Sequence, residues 1–156
     1  MLWPKRRLLR HFWCEAKGGA AVEFAVVCTV FLLVVGGMVD FGHAYYMRQV
    51  ITNGSREGGR YGVTYRTDTN GNRIAPSALS PTIQNYLSTG YFQKASLPAD
   101  ANLAITPGGS GYTTGTKGAN LEVKVTARKN WLFLPGFLPG LGDHVDLSAT
   151  TVMQCE

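Results

Sequence analysis

Sixteen consecutive residues without a charge, residues 24–39 (FAVVCTVFLLVVGGMV), constrain this chain more than any other feature. Upstream the apolar character extends back to Gly19 and is interrupted only by Glu23. About 20 helical residues span about 30 Å, the thickness of a bilayer's hydrocarbon core. The run is rich in Val and has no Pro, and in lipid a single segment can satisfy its own backbone only as a helix. One N-terminal membrane helix is therefore predicted, with membrane lipid as its first partner.

The charge distribution agrees. The net charge of +5 would suggest a nucleic-acid partner if it lay on a folded face. It does not. Lys5, Arg6, Arg7, Arg10 and Lys17 precede the apolar run against Glu15 alone, so the first 18 residues carry +4 and the remaining residues only +1. A basic block beside an apolar segment sets membrane orientation, with the basic end in the cytoplasm and the rest exported. No nucleic-acid partner is expected.

The helix is not expected to stop at Asp40. Phe41, Tyr45, Val50 and Ile51 recur at helical spacing among polar residues, and Tyr45 and Tyr46 suit the outer membrane interface. Gly58, Gly59 and Gly62 read as the helix terminus. Residues 67–73 (TDTNGNR) form a turn centred on Asn70-Gly71. A second helix opens near Pro76 or Pro81, with Ile83, Tyr86, Leu87 and Tyr91 on its apolar face, and ends before Pro98. Residues 103–106 read as a short strand. Leu121, Val123, Val125 and Ala127 alternate with polar residues as a half-buried strand, and Val145, Leu147, Ala149, Thr151 and Met153 as its partner. The expected fold class is α+β: a long N-terminal transmembrane helix, then a small exported domain with a second helix and an antiparallel sheet. The division expected is a leader over 1–18, an anchor with its extension over 19–62, and a domain over 63–156.

Chemistry concentrates at Gly18, Gly19, Glu23 and Phe24, within KGGAAVEF. A Gly before the anchor offers a protease a flexible, uncluttered peptide bond. Cleavage after Gly18 would make Glu23 the fifth mature residue, followed by an aromatic one. An ionised side chain at the bilayer centre costs about 2.5–3.5 kcal/mol, less near the interface, so it usually has a partner. Cleavage would create one, a cationic α-amine available to a neighbouring subunit. The bland alternative is a carboxylate snorkelling to the cytoplasmic interface.

The stretch from GGAAVEFAVV to VDFGHAYYMRQVITNGSREGGRYG resembles the TadE-like proteins of tight-adherence (Tad/Flp) pilus systems. The matching elements include Ala20-Ala21-Val22-Glu23-Phe24, Asp40-Phe41-Gly42, Tyr45-Tyr46, Arg48-Gln49, Thr52-Asn53, Arg56-Glu57-Gly58 and Arg60-Tyr61-Gly62. Family members often have Ala where this chain has Gly54 and Gly59, and Arg in place of His43; the glycines are expected to loosen the helix end. TadF-like paralogues share the architecture. The resemblance implies a minor pilin-like subunit, a pseudopilin, cleaved after Gly18 by a prepilin peptidase. It also implies a role in Flp pilus assembly or adhesion, with partners among other pilins or pseudopilins and the inner-membrane Tad machinery.

Other features weigh against chemistry. Thr116-Lys117-Gly118 reverses the order of a phosphate loop, so the Gly-rich residues 108–118 read as a flexible surface loop. His11, His43 and His144 are scattered and have no nucleophile elbow or paired carboxylates nearby, so no catalytic set, metal site or cofactor is expected. Cys14, Cys28 and Cys155 lie before, inside and after the anchor. An intrachain disulfide is not expected, and Cys155 is the usable exported thiol. Asp40 reads as a solvated interfacial acid. Tyr86 and Tyr91 read as core packing. The apolar stretch WLFLPGFLPGL packs under the sheet, or else is exposed for a partner. A competing reading is a secreted adhesive or binding domain with a conventional signal peptide cut after Ala44 in Gly42-His43-Ala44.

Overall fold

The computed structural model describes residues 15–98, 100–133 and 142–156. The basic residues before Glu15 and the 134–141 part of the apolar Pro/Gly-rich stretch lie outside the described residues. Helix α1 (Glu15–Val63) has 49 residues, about 74 Å of rise. Its first half has apolar side chains on every side and almost nothing packed on them: Phe24, Phe31 and Met38 are 72%, 63% and 70% exposed. A helix that is apolar all round and uncovered by protein suits a lipid solvent. It is the single described helix long and apolar enough to cross a membrane, consistent with an anchoring segment.

From Gly36 onward a seam of α1 is covered. Gly36, Asp40, Met47, Val50, Ile51, Gly54, Gly58 and Gly62 are buried, at the spacing of one helix face. Helix α1 ends at Val63, one residue past the predicted glycine terminus, but the glycines are not a loosened end. They are the contact surface. A Cβ at Gly54 would collide with the Phe92 ring, and one at Gly62 with Leu121. At Gly58 it would lie 2.6 Å from Leu87 Cδ1. Removing three side chains from one stripe lets the second helix and the sheet close onto the α1 backbone.

The sheet has three antiparallel strands in the order β1 (Ala104–Gly108), β2 (Asn120–Asn130) and β3 (His144–Gln154). Strands β2 and β3 pair over their whole length, from Asn120 opposite Gln154 to Asn130 opposite His144. The alternation in β2 is as predicted, with Leu121, Val123, Val125 and Ala127 buried against α1. That inward face continues to Lys129, which is also buried. Strand β1 lies slightly beyond the predicted residues 103–106.

The second helix, α2, opens as α-helix over Ile83–Asn85 and runs on as π-helix over Tyr86–Phe92. Thr82 caps it by accepting from the Asn85 N–H at 3.2 Å. The wider turn alters the predicted face. Leu87 and Phe92, five residues apart, are both buried, whereas Tyr86 and Tyr91 sit half-buried at its edge. Asp68 organises the predicted turn, its Oδ1 accepting from the N–H groups of Asn70 and Asn72 at 2.8 Å each.

The Gly-rich segment is not the flexible surface loop its composition suggested. After β1 it forms the short helix α3 (Ser110–Thr114), closed by Gly115 in the left-handed conformation. Gly111 is buried where a Cβ would meet Ala119 O and Cys155 Sγ, both at 2.8 Å. Backbone hydrogen bonds then join Gly118 and Ala119 to Cys155.

Candidate functional site

Gly18 and Gly19 lie in the first turns of α1, exposed, with open space where a Cβ would stand. The bond after Gly18 is thus uncluttered, but helical rather than flexible. A protease would have to unwind it locally, and each Gly weakens a helix interior by about 1 kcal/mol relative to Ala. Glu23 and Phe24 follow on the same exposed helix. Among the described residues Glu23 has no ion-pair partner within the chain.

Asp40 differs from its sequence reading. It is fully buried rather than solvated. Its Oδ1 lies 3.3 Å from Lys129 Nζ, forming an ion pair in which both side chains are at most 2% exposed. The backbone N–H of Leu132 donates to Asp40 Oδ1 at 2.9 Å, and that of Phe133 donates to Oδ2 at 2.8 Å. Lys129 Nζ also donates to Asn130 O. One carboxylate on the anchor helix therefore latches the end of β2 and the turn that leaves it. Two sequence signals point to this pair: an acid ending the apolar run, and a lysine at the next inward position after Leu121, Val123, Val125 and Ala127.

Of the two readings of the apolar stretch, its described residues favour exposure over packing under the sheet: Leu132 and Phe133 are exposed beside α1. Phe133 sits on Gly36, whose Cβ would lie 2.9 Å from Phe133 Cβ, and Trp131 meets Phe41 edge-on at 5.7 Å.

Away from the anchor, Glu57, Tyr86, Gly90, Tyr91, Lys94 and Ala95 line a shallow groove of about 430 Å³. Tyr86 stacks on Tyr61 at 4.1 Å and donates to Glu57 Oε1 at 2.9 Å. That hydrogen bond, and then burial, push the Tyr86 pKa above its ordinary value. These tyrosines pack and tie helices together.

Cys28 and Cys155 are free thiols. Cys155 is only 3% exposed, with its Sγ 3.8 Å from Gly111 O, so it is not the accessible thiol expected from its position near the end of the sequence. A membrane-impermeant maleimide should leave Cys155 unmodified in the folded protein and react with it after denaturation. Rapid labelling of the native protein at Cys155 would contradict this packing.

Residues 18–60 match the TadE-like protein family. This segment is TadE-like. The match begins at Gly18, includes Glu23 and Asp40, and ends inside α1, so the sheet domain lies outside it. No curated protein and no solved structure matches the chain. Among the described residues no group of three or more His, Cys, Asp or Glu is placed to hold a metal ion.

Proposed function

We propose that this TadE-like chain is a minor pilin-like subunit, a pseudopilin, of a Tad/Flp pilus system. In this reading a prepilin peptidase cleaves it after Gly18, and it acts in pilus assembly or adhesion with other pilins or pseudopilins and the inner-membrane Tad machinery. The observation that carries the reading is the family match, which starts at Gly18 and runs through the apolar helix. The N-terminus is cytoplasmic and the sheet domain exported, an orientation supported by the +4 charge of the first 18 residues.

The chemistry follows from membrane depth. Cleavage leaves the Gly19 α-amine cationic, one turn and about 6 Å of helix rise from Glu23. Within one helix the pairing is hindered, because the two residues lie one turn apart and the amine is held at the terminus. A neighbouring subunit shifted along the axis brings its Glu23 to that amine. Desolvation offsets much of the attraction, and the chief gain is register, since one stagger satisfies both charges.

The conventional signal peptide fits less well. A cut after Ala44 would remove Asp40 from Lys129, Leu132 and Phe133, losing one ion pair and two hydrogen bonds that tie the sheet domain to the helix.

Gly18→Arg tests the processing step by placing a bulky cation at the scissile position. The wild type should migrate at mature size and the variant at precursor size when both are expressed with the peptidase. Both migrating at mature size would refute cleavage after Gly18.

A further inference from the structure

The start of the β2–β3 connection lies at a depth where irregular backbone is rarely tolerated. A hydrocarbon core of about 30 Å takes about 20 helical residues, and those ending at Val39 begin at Ala20. Shifting this window four residues toward the N-terminus would draw in Lys17 of the precursor, or the cationic Gly19 terminus of the cleaved chain, beside Glu23. Asp40 thus marks the outer boundary, and Gly36, about 6 Å of helix rise deeper, lies inside it. Phe133 rests on Gly36.

In hydrocarbon, non-helical backbone survives only with its polar groups satisfied by protein. The backbone N–H groups of residues 131–133 meet that condition, while the buried indole Nε1 of Trp131 has no partner among the described residues. Trp131 donates to Asp143 O at 3.1 Å, and Leu132 and Phe133 donate to the two oxygens of Asp40. Lys129 is paired with the same carboxylate. The side chains carried there are apolar and outward: Leu132 is 67% and Phe133 50% exposed. Aqueous solvent would penalise that exposure and has no need of the hydrogen-bond arrangement beneath it.

We propose that residues 131–133 are seated in the outer leaflet, with Leu132 and Phe133 against lipid acyl chains. The protein then holds the bilayer at two points, and the Asp40–Lys129 latch fixes the sheet domain close to the membrane surface. The occupant is lipid because the patch is continuous, through Phe133 on Gly36, with the apolar surface of the anchor. This inference rests on the membrane-anchor reading of α1.

The test uses the full chain in vesicles at high lipid-to-protein ratio, with native cysteines replaced and an NBD fluorophore on a single new cysteine. Leu132→Cys carries the probe, Phe31→Cys reports the anchor and the exposed Lys117→Cys reports water. NBD at 132 should emit blue-shifted, be quenched several-fold more by lipid bearing a nitroxide high on its acyl chain than by aqueous cobalt, and so resemble 31. If 132 behaves like 117 while 31 is quenched by lipid, the anchor reading stands and the seating is refuted. If 31 too behaves like 117, the anchor reading itself has failed. Protection of 132 from both quenchers would mean that protein covers it, also overturning the proposal.

Discussion

Asp40→Ala is expected to destabilise the fold by about 3–5 kcal/mol, because it leaves the Lys129 ammonium buried without its counter-charge. The N–H groups of Leu132 and Phe133 lose their acceptor in the same step, and each orphaned buried donor adds about 1–3 kcal/mol where water cannot reach it. Adding Lys129→Met should recover part of the loss, since removing the stranded charge relieves the larger penalty. Recovery should be incomplete, because a methionine does nothing for the two N–H groups. Denaturant titration in detergent or bicelles, run as a double-mutant cycle, measures both terms. A change within about 0.5 kcal/mol for Asp40→Ala would return this residue to a solvated interfacial acid.

Glu23→Val should abolish pilus function, and crosslinking to other pilins, while leaving insertion and cleavage intact. In the precursor no free amine lies near this carboxylate, so the protease step has no use for it. In the proposed mechanism it is, after cleavage, the group that fixes the stagger between subunits. Valine should even favour insertion, since the carboxylate is the one charge interrupting the apolar run. Pili assembled at wild-type levels would reduce Glu23 to a snorkelling side chain.

The two substitutions also separate what could be read from sequence from what could not. The anchor, the turn at Asn70-Gly71 and the paired strands were legible because each rests on local periodicity or turn chemistry. Leu121, Val123, Val125 and Ala127 declare an inward face without reference to anything distant. Three features were hidden because they depend on tertiary partners. Gly58 and Gly62 mark the helix end correctly, but their packing role, with that of Gly54, shows only when Phe92, Leu87 and Leu121 are brought against them. The five-residue step from Leu87 to Phe92 follows a π-helical turn, which a 3.6-residue search passes over. Asp40 and Lys129 lie 89 positions apart, and each alone reads as an ordinary surface charge. The proposed processing motif behaves in the opposite way. Gly18, Gly19, Glu23 and Phe24 are conspicuous in sequence, yet within the described residues of a single chain Glu23 has no ion-pair partner.

The mature N-terminus tests the central proposal most directly. The protein should be purified from the membranes of cells that carry the pilus system and its terminus read by mass spectrometry or Edman degradation. The expected result is a chain beginning at Gly19, with Glu23 as its fifth residue. A chain that retains its basic leader, or one that begins at Tyr45, would contradict it.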